Sequence, residues 1–207
     1  MPRFLVGMLV FVLFLVPAVD SVRAGNSTFE EATATRVLGK ADAPLTIYEY
    51  SSMSCPHCAA FHRDVLPAIK KEFIDTGKVK LVFTDFPLGG LALAGSMINR
   101  CVSRTDKKFF TFLEVLFKQQ KKWAFSDTPR EDLEKLARLA GMSSYDLDAC
   151  LENEKLQKAI LAKAQEAQNK HDIKATPSFV VGDRVIRGGM ALEDFRDVIN
   201  KALADAK

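Results

Sequence analysis

Two cysteines three positions apart, where an apolar run gives way to a helical pattern, constrain this 207-residue chain more than any other feature. They are Cys55 and Cys58, separated by Pro56 and His57. Thiols at this spacing can close a small disulfide ring, so the pair can alternate between dithiol and disulfide. A cysteine in the first turn of a helix faces unpaired backbone N–H groups and the positive end of the helix dipole, which favour its thiolate. The pattern predicts a redox centre that exchanges disulfides.

The pair is open to three other interpretations. A zinc site of this type needs two more ligands at suitable spacing, whereas Cys101 and Cys150 occur singly and His62 alone does not complete the set. Haem attachment needs a histidine directly after the second cysteine, where this chain has Ala59. A purely structural disulfide is the simplest alternative, but a strand followed by a helix is the context that a redox motif requires. We therefore expect no metal and no cofactor.

The first 24 residues have the pattern of a secretory signal peptide. Residues 1–3 give a positive start, residues 4–19 are almost wholly apolar, and residues 22–24 place small side chains where a signal peptidase reads. The apolar stretch of 16 residues is shorter than the roughly 20 that span a bilayer. Cleavage after Ala24 is therefore expected rather than a membrane anchor. All four cysteines follow this segment, and cysteines of an exported protein are expected to form or to handle disulfides.

The charge balance does not point to a strongly charged partner. Without residues 1–24 the chain has 183 residues, and this length is enough for one domain with a sizeable core. These residues include 27 basic and 25 acidic side chains, so the net charge is small. The lysines alternate with acidic or apolar residues, as is typical of solvated helix faces rather than of a binding patch. We expect no nucleic acid as a partner.

The first half of the chain predicts a β-β-α-β order. After a polar, flexible lead at 25–34, strands are expected at 36–38, 45–50 and 79–86. A helix at 56–75, kinked at Pro67, lies between the last two strands. A strand–helix–strand order of this kind implies that the two strands are parallel.

The second half predicts a block of helices followed by a β-β-α unit. Apolar periodicity places helices at 91–102, 107–120, 130–139, 145–152 and 154–171. The third of these begins in a capping box that runs from Thr128 to Glu131. A two-residue turn at Gly182 and Asp183 predicts a hairpin, and a last helix follows from Leu192.

Three features coincide in this order of elements. They are the cysteine motif between a strand and a helix, Thr176 and Pro177 before a late hairpin strand, and a helical block between the two halves. Together they resemble the DsbA family of bacterial disulfide oxidoreductases, and the resemblance covers essentially all of the chain after residue 24. It implies an α/β thioredoxin fold at 35–87 and 173–207, with an inserted helical domain at 88–172. The two further cysteines in the helical block are more similar to the alphaproteobacterial and Gram-positive members than to the enterobacterial enzyme.

The resemblance implies a role for each residue of the cysteine motif. Cys55 is the attacking and attacked sulfur, and the buried Cys58 resolves the mixed disulfide. A Pro-His pair between the cysteines is typical of the strong oxidants of this fold. His57 would add positive charge beside Cys55, unless it is an exposed spacer without electrostatic effect.

Glu49 lies within an otherwise apolar strand, six residues before Cys55. A carboxylate in such a position is costly unless it has a partner or a function. Similar oxidoreductases place a buried acid at this offset, beneath the second sulfur, where it carries the proton of that thiol. A simple ion pair on an exposed strand edge is the alternative.

The resemblance also assigns Thr176 and Pro177 to a cis-proline loop that faces the cysteine pair. In this arrangement the backbone before the proline pairs with an extended segment of the client, meaning the protein whose cysteines are exchanged. An ordinary trans proline at a strand start is the alternative, since cis bonds are only about 5% of X–Pro bonds in folded proteins.

Cys101 and Cys150 both lie on predicted helices of the inserted block. Because exported thiols seldom stay free, a structural disulfide between them is the leading interpretation. Two buried free thiols are the alternative.

The chain is therefore expected to be a monomeric periplasmic oxidoreductase that introduces disulfides into reduced exported proteins. A membrane quinone reductase of the DsbB type would reoxidise it. An isomerase or reductase kept reduced by a membrane electron donor is a second hypothesis. Isomerases of this fold usually carry a dimerisation domain before the thioredoxin part, and only about ten residues separate Ala24 from the first strand here. A chaperone-like binding module without redox activity is the third hypothesis.

Overall fold

The computed structural model of the protein describes residues 27–205. The predicted signal peptide at 1–24 and the first two residues of the expected lead lie outside this range. Within it, no helix combines the length and the apolar character that crossing a membrane requires.

A five-stranded mixed sheet forms the centre of the fold, in the order β1-β3-β2-β4-β5. Strands β2 and β3 are parallel, as the strand–helix–strand order predicts, with Glu49 opposite Phe83. The other neighbouring strands are antiparallel. The α/β thioredoxin fold with an inserted helical domain is confirmed. The strands are β1 (Arg36–Leu38), β2 (Leu45–Ser51), β3 (Val79–Asp85), β4 (Ser178–Val181) and β5 (Arg184–Arg187).

Helix α2 connects β2 to β3 and carries both cysteines of the motif. It is continuous over residues 56–74 but changes its hydrogen-bond pattern three times. Its four segments are Pro56–Ala60 (α), Phe61–Val65 (π), Leu66–Ile69 (α) and Lys70–Ile74 (π). Pro67 has no N–H to donate to the preceding turn, and the first π turn comes directly before the segment that contains it. Gly77, with a positive φ of 78°, lies in the turn between the end of α2 and the start of β3.

The inserted block lies between β3 and β4 and contains six helices. Its interior is apolar, with Phe109, Leu113 and Trp123 fully buried, and it shares one continuous core with the sheet and α2. Helix α8 has the bounds expected from the sequence, and α3, α4, α6 and α7 begin and end within one or two residues of expectation, whereas the short α5 was not expected. The helices are α3 (Gly90–Val102), α4 (Asp106–Lys118), α5 (Gln120–Trp123), α6 (Pro129–Leu139), α7 (Ser144–Leu151) and α8 (Glu154–His171).

The C-terminal part returns to the sheet. The hairpin of β4 and β5 turns at Gly182, whose φ of 56° suits a residue without a side chain. Helix α9 (Leu192–Asp205) then packs against the sheet, with the ring of Phe195 4.9 Å from that of Phe179.

Two expectations about local structure are corrected. Residues 29–33 of the expected flexible lead form helix α1 (Phe29–Thr33), because Thr28 and Glu31 make a complete capping box and Ala32 is buried. The second capping box does not form: α6 begins at Pro129 as expected, but the Thr128 side chain makes no cap. Its hydroxyl lies 3.4 Å from the carboxylate of Asp132 instead.

Candidate redox site

The redox pair, Cys55 and Cys58, lies at the start of helix α2, on the edge of the sheet where β2 ends. Cys55 is the N-cap residue with extended backbone (φ −81°, ψ 120°), and Pro56 occupies the first helical position. Its carbonyl oxygen accepts the N–H groups of Cys58 and Ala59, at 3.1 and 3.2 Å. Cys55 is 9% exposed and Cys58 is 0% exposed, so Cys55 is the sulfur that another molecule can reach. Both thiols are unbridged in this structure.

The surroundings of Cys55 favour its thiolate. A hydrogen bond from the Cys58 thiol is the largest influence and lowers the pKa of Cys55 from its ordinary 9.0 to about 5, against the opposing effect of burial. The backbone N–H groups of Cys58 and His57, at the N-terminus of α2, act in the same direction. The reduced form of the pair is thereby stabilised.

Cys58 has the opposite environment. Burial raises the pKa of the Cys58 thiol well above its ordinary value, and the neighbouring Cys55 raises it further. The backbone N–H of Ser52 points at the Cys58 sulfur from 3.5 Å. The pair therefore combines a partly accessible Cys55, whose ionisation is favoured, with a fully buried Cys58 that is held protonated.

Thr176 and Pro177 face the redox pair from the loop before β4. The peptide bond between them is cis. The Cys55 sulfur lies 3.2 Å from the carbonyl oxygen of Thr176 and donates to it while the thiol is protonated. Thr176 is buried, and its side chain is close enough to Cys55 to contribute to the lowered pKa of that thiol. The structure thus places the backbone of this loop directly against the reachable sulfur.

Glu49 is fully buried in the middle of β2, between Phe83 of β3 and Phe179 of β4. Its Oε1 atom lies 2.8 Å from Nε2 of His62, and this distance corresponds to a hydrogen bond. Its Oε2 atom has no partner among residues 27–205. The structure therefore does not bear out the alternative in which Glu49 lies on an exposed edge.

Sequence reasoning considered His62 only as a metal ligand and missed its position opposite Glu49. His62 lies in the first π turn of α2, and its ring packs 4.5 Å from the ring of Phe117. It follows Cys58 by four residues, so the two side chains share one face of the helix. A histidine at this spacing on an otherwise apolar helix face is the signal that could have identified it.

Strand β2 and helix α2 thus bring two rows of polar groups together. Glu49 and Ser51 lie two residues apart on one face of β2, and both have a buried oxygen without a partner within the described residues. His62 hydrogen-bonds to Glu49, and the Ser51 side chain is close enough to Cys58 to lower the pKa of that thiol slightly. Buried polar groups on the same face of β2 therefore lie both beside Cys58, at Ser51, and at the Glu49–His62 pair.

His57 lies on the exposed side of the motif. Its effect on Cys55 comes from its backbone N–H, while its imidazole makes no hydrogen bond or ion pair within residues 27–205. The ring lines a shallow groove of about 440 Å³. The groove is bounded by Ala60, Phe61 and Val65 of α2 and by residues 188–191 before α9.

A disulfide joins Cys101 of α3 to Cys150 of α7, with the two Cα atoms 6.2 Å apart. Both cysteines are buried. The bond lies within the helical insertion, so it ties helices of the insertion together and is separate from the redox pair. No group of three or more His, Cys, Asp or Glu residues in the described ranges is arranged to hold a metal.

Comparisons with known proteins agree with this geometry. A family model described as thioredoxin matches residues 31–201. A putative protein-disulfide oxidoreductase of Rickettsia conorii is 32% identical over 92% of this chain and 67% of its own length. Disulfide bond formation protein D of Bacillus subtilis is 33% identical over 81% of this chain and 76% of its own length. The chain spans about two thirds of the length of the rickettsial relatives, from 64% to 71% in four of them.

The same relationship appears among solved structures. The crystal structure of alpha-DsbA1 of Wolbachia pipientis superposes with a TM-score of 0.76 at 29% identity, covering 83% of this chain and 92% of the other. The similarity includes the inserted block as well as the thioredoxin fold, because it extends over nearly the whole of that protein.

Proposed function

This chain belongs to the thioredoxin family, among its DsbA-like protein-disulfide oxidoreductases, and we propose that it acts as an oxidant that introduces disulfide bonds into exported proteins. The lowered pKa of Cys55 carries this proposal. Whatever stabilises the Cys55 thiolate stabilises the dithiol form, so the disulfide form readily passes its bond to a client. An oxidant needs this bias.

The exchange proceeds in two displacements that balance in electrons. A client thiolate attacks Sγ of Cys55 in the oxidised pair, forms a mixed disulfide and expels Cys58, which takes up a proton. A second client thiolate then attacks the client sulfur of the mixed disulfide and expels Cys55 as a thiolate. The client loses two electrons and gains a disulfide, while the redox pair becomes a dithiol. Cys55 retains 9% exposure and Cys58 has none, and this difference supports the order of attack.

Glu49 serves as the proton donor and acceptor for Cys58, with His62 as its partner. The expelled Cys58 sulfur lies in a buried environment that disfavours charge, so it needs a proton as it leaves. The Glu49 oxygen without a partner and the Ser51 hydroxyl lie on the same face of β2, and the Ser51 side chain is close enough to Cys58 to affect the pKa of that thiol. Reoxidation requires the reverse transfer, in which Cys58 loses its proton before it can attack.

The Thr176 and Pro177 loop binds the client backbone beside the reactive sulfur. In the reduced pair the Thr176 carbonyl oxygen lies 3.2 Å from Cys55, so an extended client segment that pairs with this loop brings its cysteine to Sγ. The groove beside His57 extends the contact surface on the other side of the motif, and the imidazole there can add positive charge near a client thiolate.

The proposed setting is the periplasm, reached through the signal peptide that residues 1–24 resemble. A monomer suffices for the exchange. Two electrons must leave the pair after each cycle, which calls for a membrane quinone reductase of the DsbB type as a partner. Its own reactive cysteine would approach Cys55 by the same route as a client.

Transfer of a disulfide from the purified, oxidised protein to a reduced peptide with two cysteines tests the proposal. We expect stoichiometric oxidation of the reduced peptide and its loss in Cys55→Ser. With the peptide supplied as its disulfide instead, Cys58→Ser should accumulate a mixed disulfide, because Cys55 attacks the peptide disulfide and no Cys58 thiol is present to displace the peptide. Thiol trapping in cells tests the direction, and the redox pair is expected to be mostly a disulfide. Full peptide oxidation by Cys55→Ser would exclude the mechanism, and a mainly reduced pair in cells would favour the isomerase or reductase.

A further inference from the structure

Gln120, the first residue of α5 in the helical insertion, reaches into the redox site. Its side chain is buried, and its Nε2 atom donates hydrogen bonds to two backbone carbonyl oxygens of the turn before α2. The acceptors are Met53, at 2.8 Å, and Cys55, at 3.0 Å. A side-chain amide has two N–H groups, so each carbonyl oxygen can take one of them.

The carbonyl oxygen of Cys55 is the hydrogen-bond acceptor for the first turn of α2. It accepts the N–H groups of Cys58 and Ala59 in addition to the Gln120 amide. The N–H of Cys55 itself donates to the carbonyl oxygen of Ser52, three residues earlier, at 3.1 Å. The backbone of Cys55 is therefore fixed at both of its polar groups, and Gln120 is the contributor that comes from outside the local chain.

The position of Gln120 is itself well defined. Trp123, three residues later in α5, is fully buried and donates its indole N–H to the Leu116 carbonyl oxygen at 2.8 Å. Gly95 of α3 lies so close to the Trp123 ring and to Met53 that an added Cβ would be 3.1 Å from each. The helical insertion thus packs tightly against the turn that Gln120 holds.

We propose that Gln120 is a positioning residue for disulfide exchange, which fixes the backbone of Cys55 so that its sulfur meets the N–H groups at the start of α2. The inference rests on the exchange chemistry proposed for Cys55. It assigns a second task to the helical insertion, beyond covering the sheet, because that block supplies the side chain that orients the reactive cysteine. The amide is neutral, so it acts through geometry and adds no charge to the site.

The lowered pKa of Cys55 provides the measurement. Two of its causes are the N–H groups of Cys58 and His57, and these depend on how the Cys55 backbone is held. In Gln120→Met the side chain keeps a similar length but loses both donors. We expect the midpoint of Cys55 ionisation, followed by thiolate absorbance, to rise by about half to one pH unit, the equivalent of one ordinary hydrogen bond. The reduction equilibrium with glutathione should move toward a less oxidising pair.

Two further variants separate positioning from stability. Gln120→Glu has the same shape but offers only acceptors when ionised, so it should raise the midpoint at least as much as Gln120→Met. Leu133→Ala removes a buried side chain of α6 in the same insertion and should lower the melting temperature without moving the midpoint. An unchanged midpoint in folded Gln120→Met, or an equal shift in Leu133→Ala, would overturn the proposal.

The wild-type protein offers a test that does not depend on folded variants. The side-chain amide protons of Gln120 should exchange slowly with solvent in the reduced protein, as measured by NMR, because both are bonded and buried. Fast exchange would contradict the two hydrogen bonds. Disulfide transfer by the wild-type protein is measured in parallel. Absence of transfer would contradict the proposed function, whereas normal transfer with fast exchange of the Gln120 amide protons would contradict only this inference.

Discussion

Nε2 of His62 lies 2.8 Å from Oε1 of Glu49, and this contact joins the buried carboxyl group of β2 to the helix that carries both redox cysteines. Both side chains are buried. A buried acid and a buried base in contact can share one proton at little cost, whereas either alone would be costly in its charged form. The pair is therefore suited to hold a proton that Cys58 gives up or takes back.

Glu49→Gln keeps the shape of the side chain but removes its titration. We expect steps that change the protonation of Cys58, such as reoxidation of the dithiol by glutathione disulfide, to slow by about tenfold or more, a modest value for general acid–base catalysis. Alkylation of Cys55 should be unaffected because its thiolate is already formed. Quenched-flow kinetics with mass spectrometry measure both rates.

Asp64→Asn is the matched control for Glu49→Gln. It removes a carboxylate of α2 that is exposed and paired with Arg63, so it should leave reoxidation unchanged. His62→Phe should reproduce the slow reoxidation of Glu49→Gln if the two residues act together. A wild-type rate in His62→Phe would assign the proton to Glu49 alone.

The reduced protein should show a characteristic dependence of stability on pH. The pKa of Cys55 falls from 9.0 to about 5 on folding, so ionisation of this thiol stabilises the folded state fully above pH 9. The contribution shrinks as the pH falls toward 5 and is absent below it. The difference in unfolding free energy between the wild type and Cys55→Ala, from urea denaturation of the reduced proteins, should therefore grow between pH 5 and 8. A constant difference would contradict the lowered pKa.

The second cysteine provides a further check on the cause of this shift. The hydrogen bond from Cys58 is the largest contribution to the lowered pKa of Cys55. Cys58→Ala removes the donor and should raise the midpoint of Cys55 alkylation, whereas Cys58→Ser keeps a hydroxyl donor and should raise it less. A wild-type midpoint in Cys58→Ala would assign the shift to the helix N-terminus instead.

The fold was largely predictable from the sequence, for reasons that lie in local pattern. Apolar periodicity determined the strands and most helices, and the positions of Cys55 and Cys58 between strand and helix indicated the family. Helix α1 was missed although Thr28 and Glu31 have the residue types and the spacing of a capping box. At Thr128 the same pattern was misleading, because Asp132 competes for the hydroxyl group.

The parts of the site that could not be predicted depend on contacts between distant segments. Gln120 is 65 residues from Cys55 in the chain, and nothing in the sequence around it distinguishes it from the neighbouring Gln119. The partner of Glu49 was uncertain for the same reason. Only the packing of α2 on β2 shows that His62, and not a surface cation, meets the carboxylate.

The disulfide of the helical insertion should matter for stability and not for exchange. Cys101 and Cys150 are 49 residues apart, so their bond restricts a long loop of the unfolded chain. Replacing both with Ala should lower the unfolding free energy by about 2–4 kcal/mol, measured by denaturation with the redox pair oxidised. The midpoint of Cys55 ionisation should not move. A large shift of that midpoint would show that the disulfide supports the redox site directly.

The buried ion pair of Arg100 and Asp85 should be the most sensitive polar contact outside the redox site. Arg100 donates to the Asp85 carboxylate at 2.6 Å and to the Ala32 carbonyl oxygen at 2.7 Å, so it ties α3 both to β3 and to α1. Both charged side chains are almost fully buried. Arg100→Met leaves the Asp85 charge without its partner and should cost about 3–5 kcal/mol in unfolding free energy.

A double-mutant cycle separates the charge from the packing. Adding Asp85→Asn to Arg100→Met removes the uncompensated carboxylate, so the double variant should be more stable than Arg100→Met alone. Lys158→Met is the matched control, because it removes one partner of an ion pair with Glu154 in which both side chains are largely exposed, and it should change the unfolding free energy by less than about 1 kcal/mol. If the double variant were as unstable as Arg100→Met, the loss would come from the contacts of Arg100 with α1 and not from the buried charge.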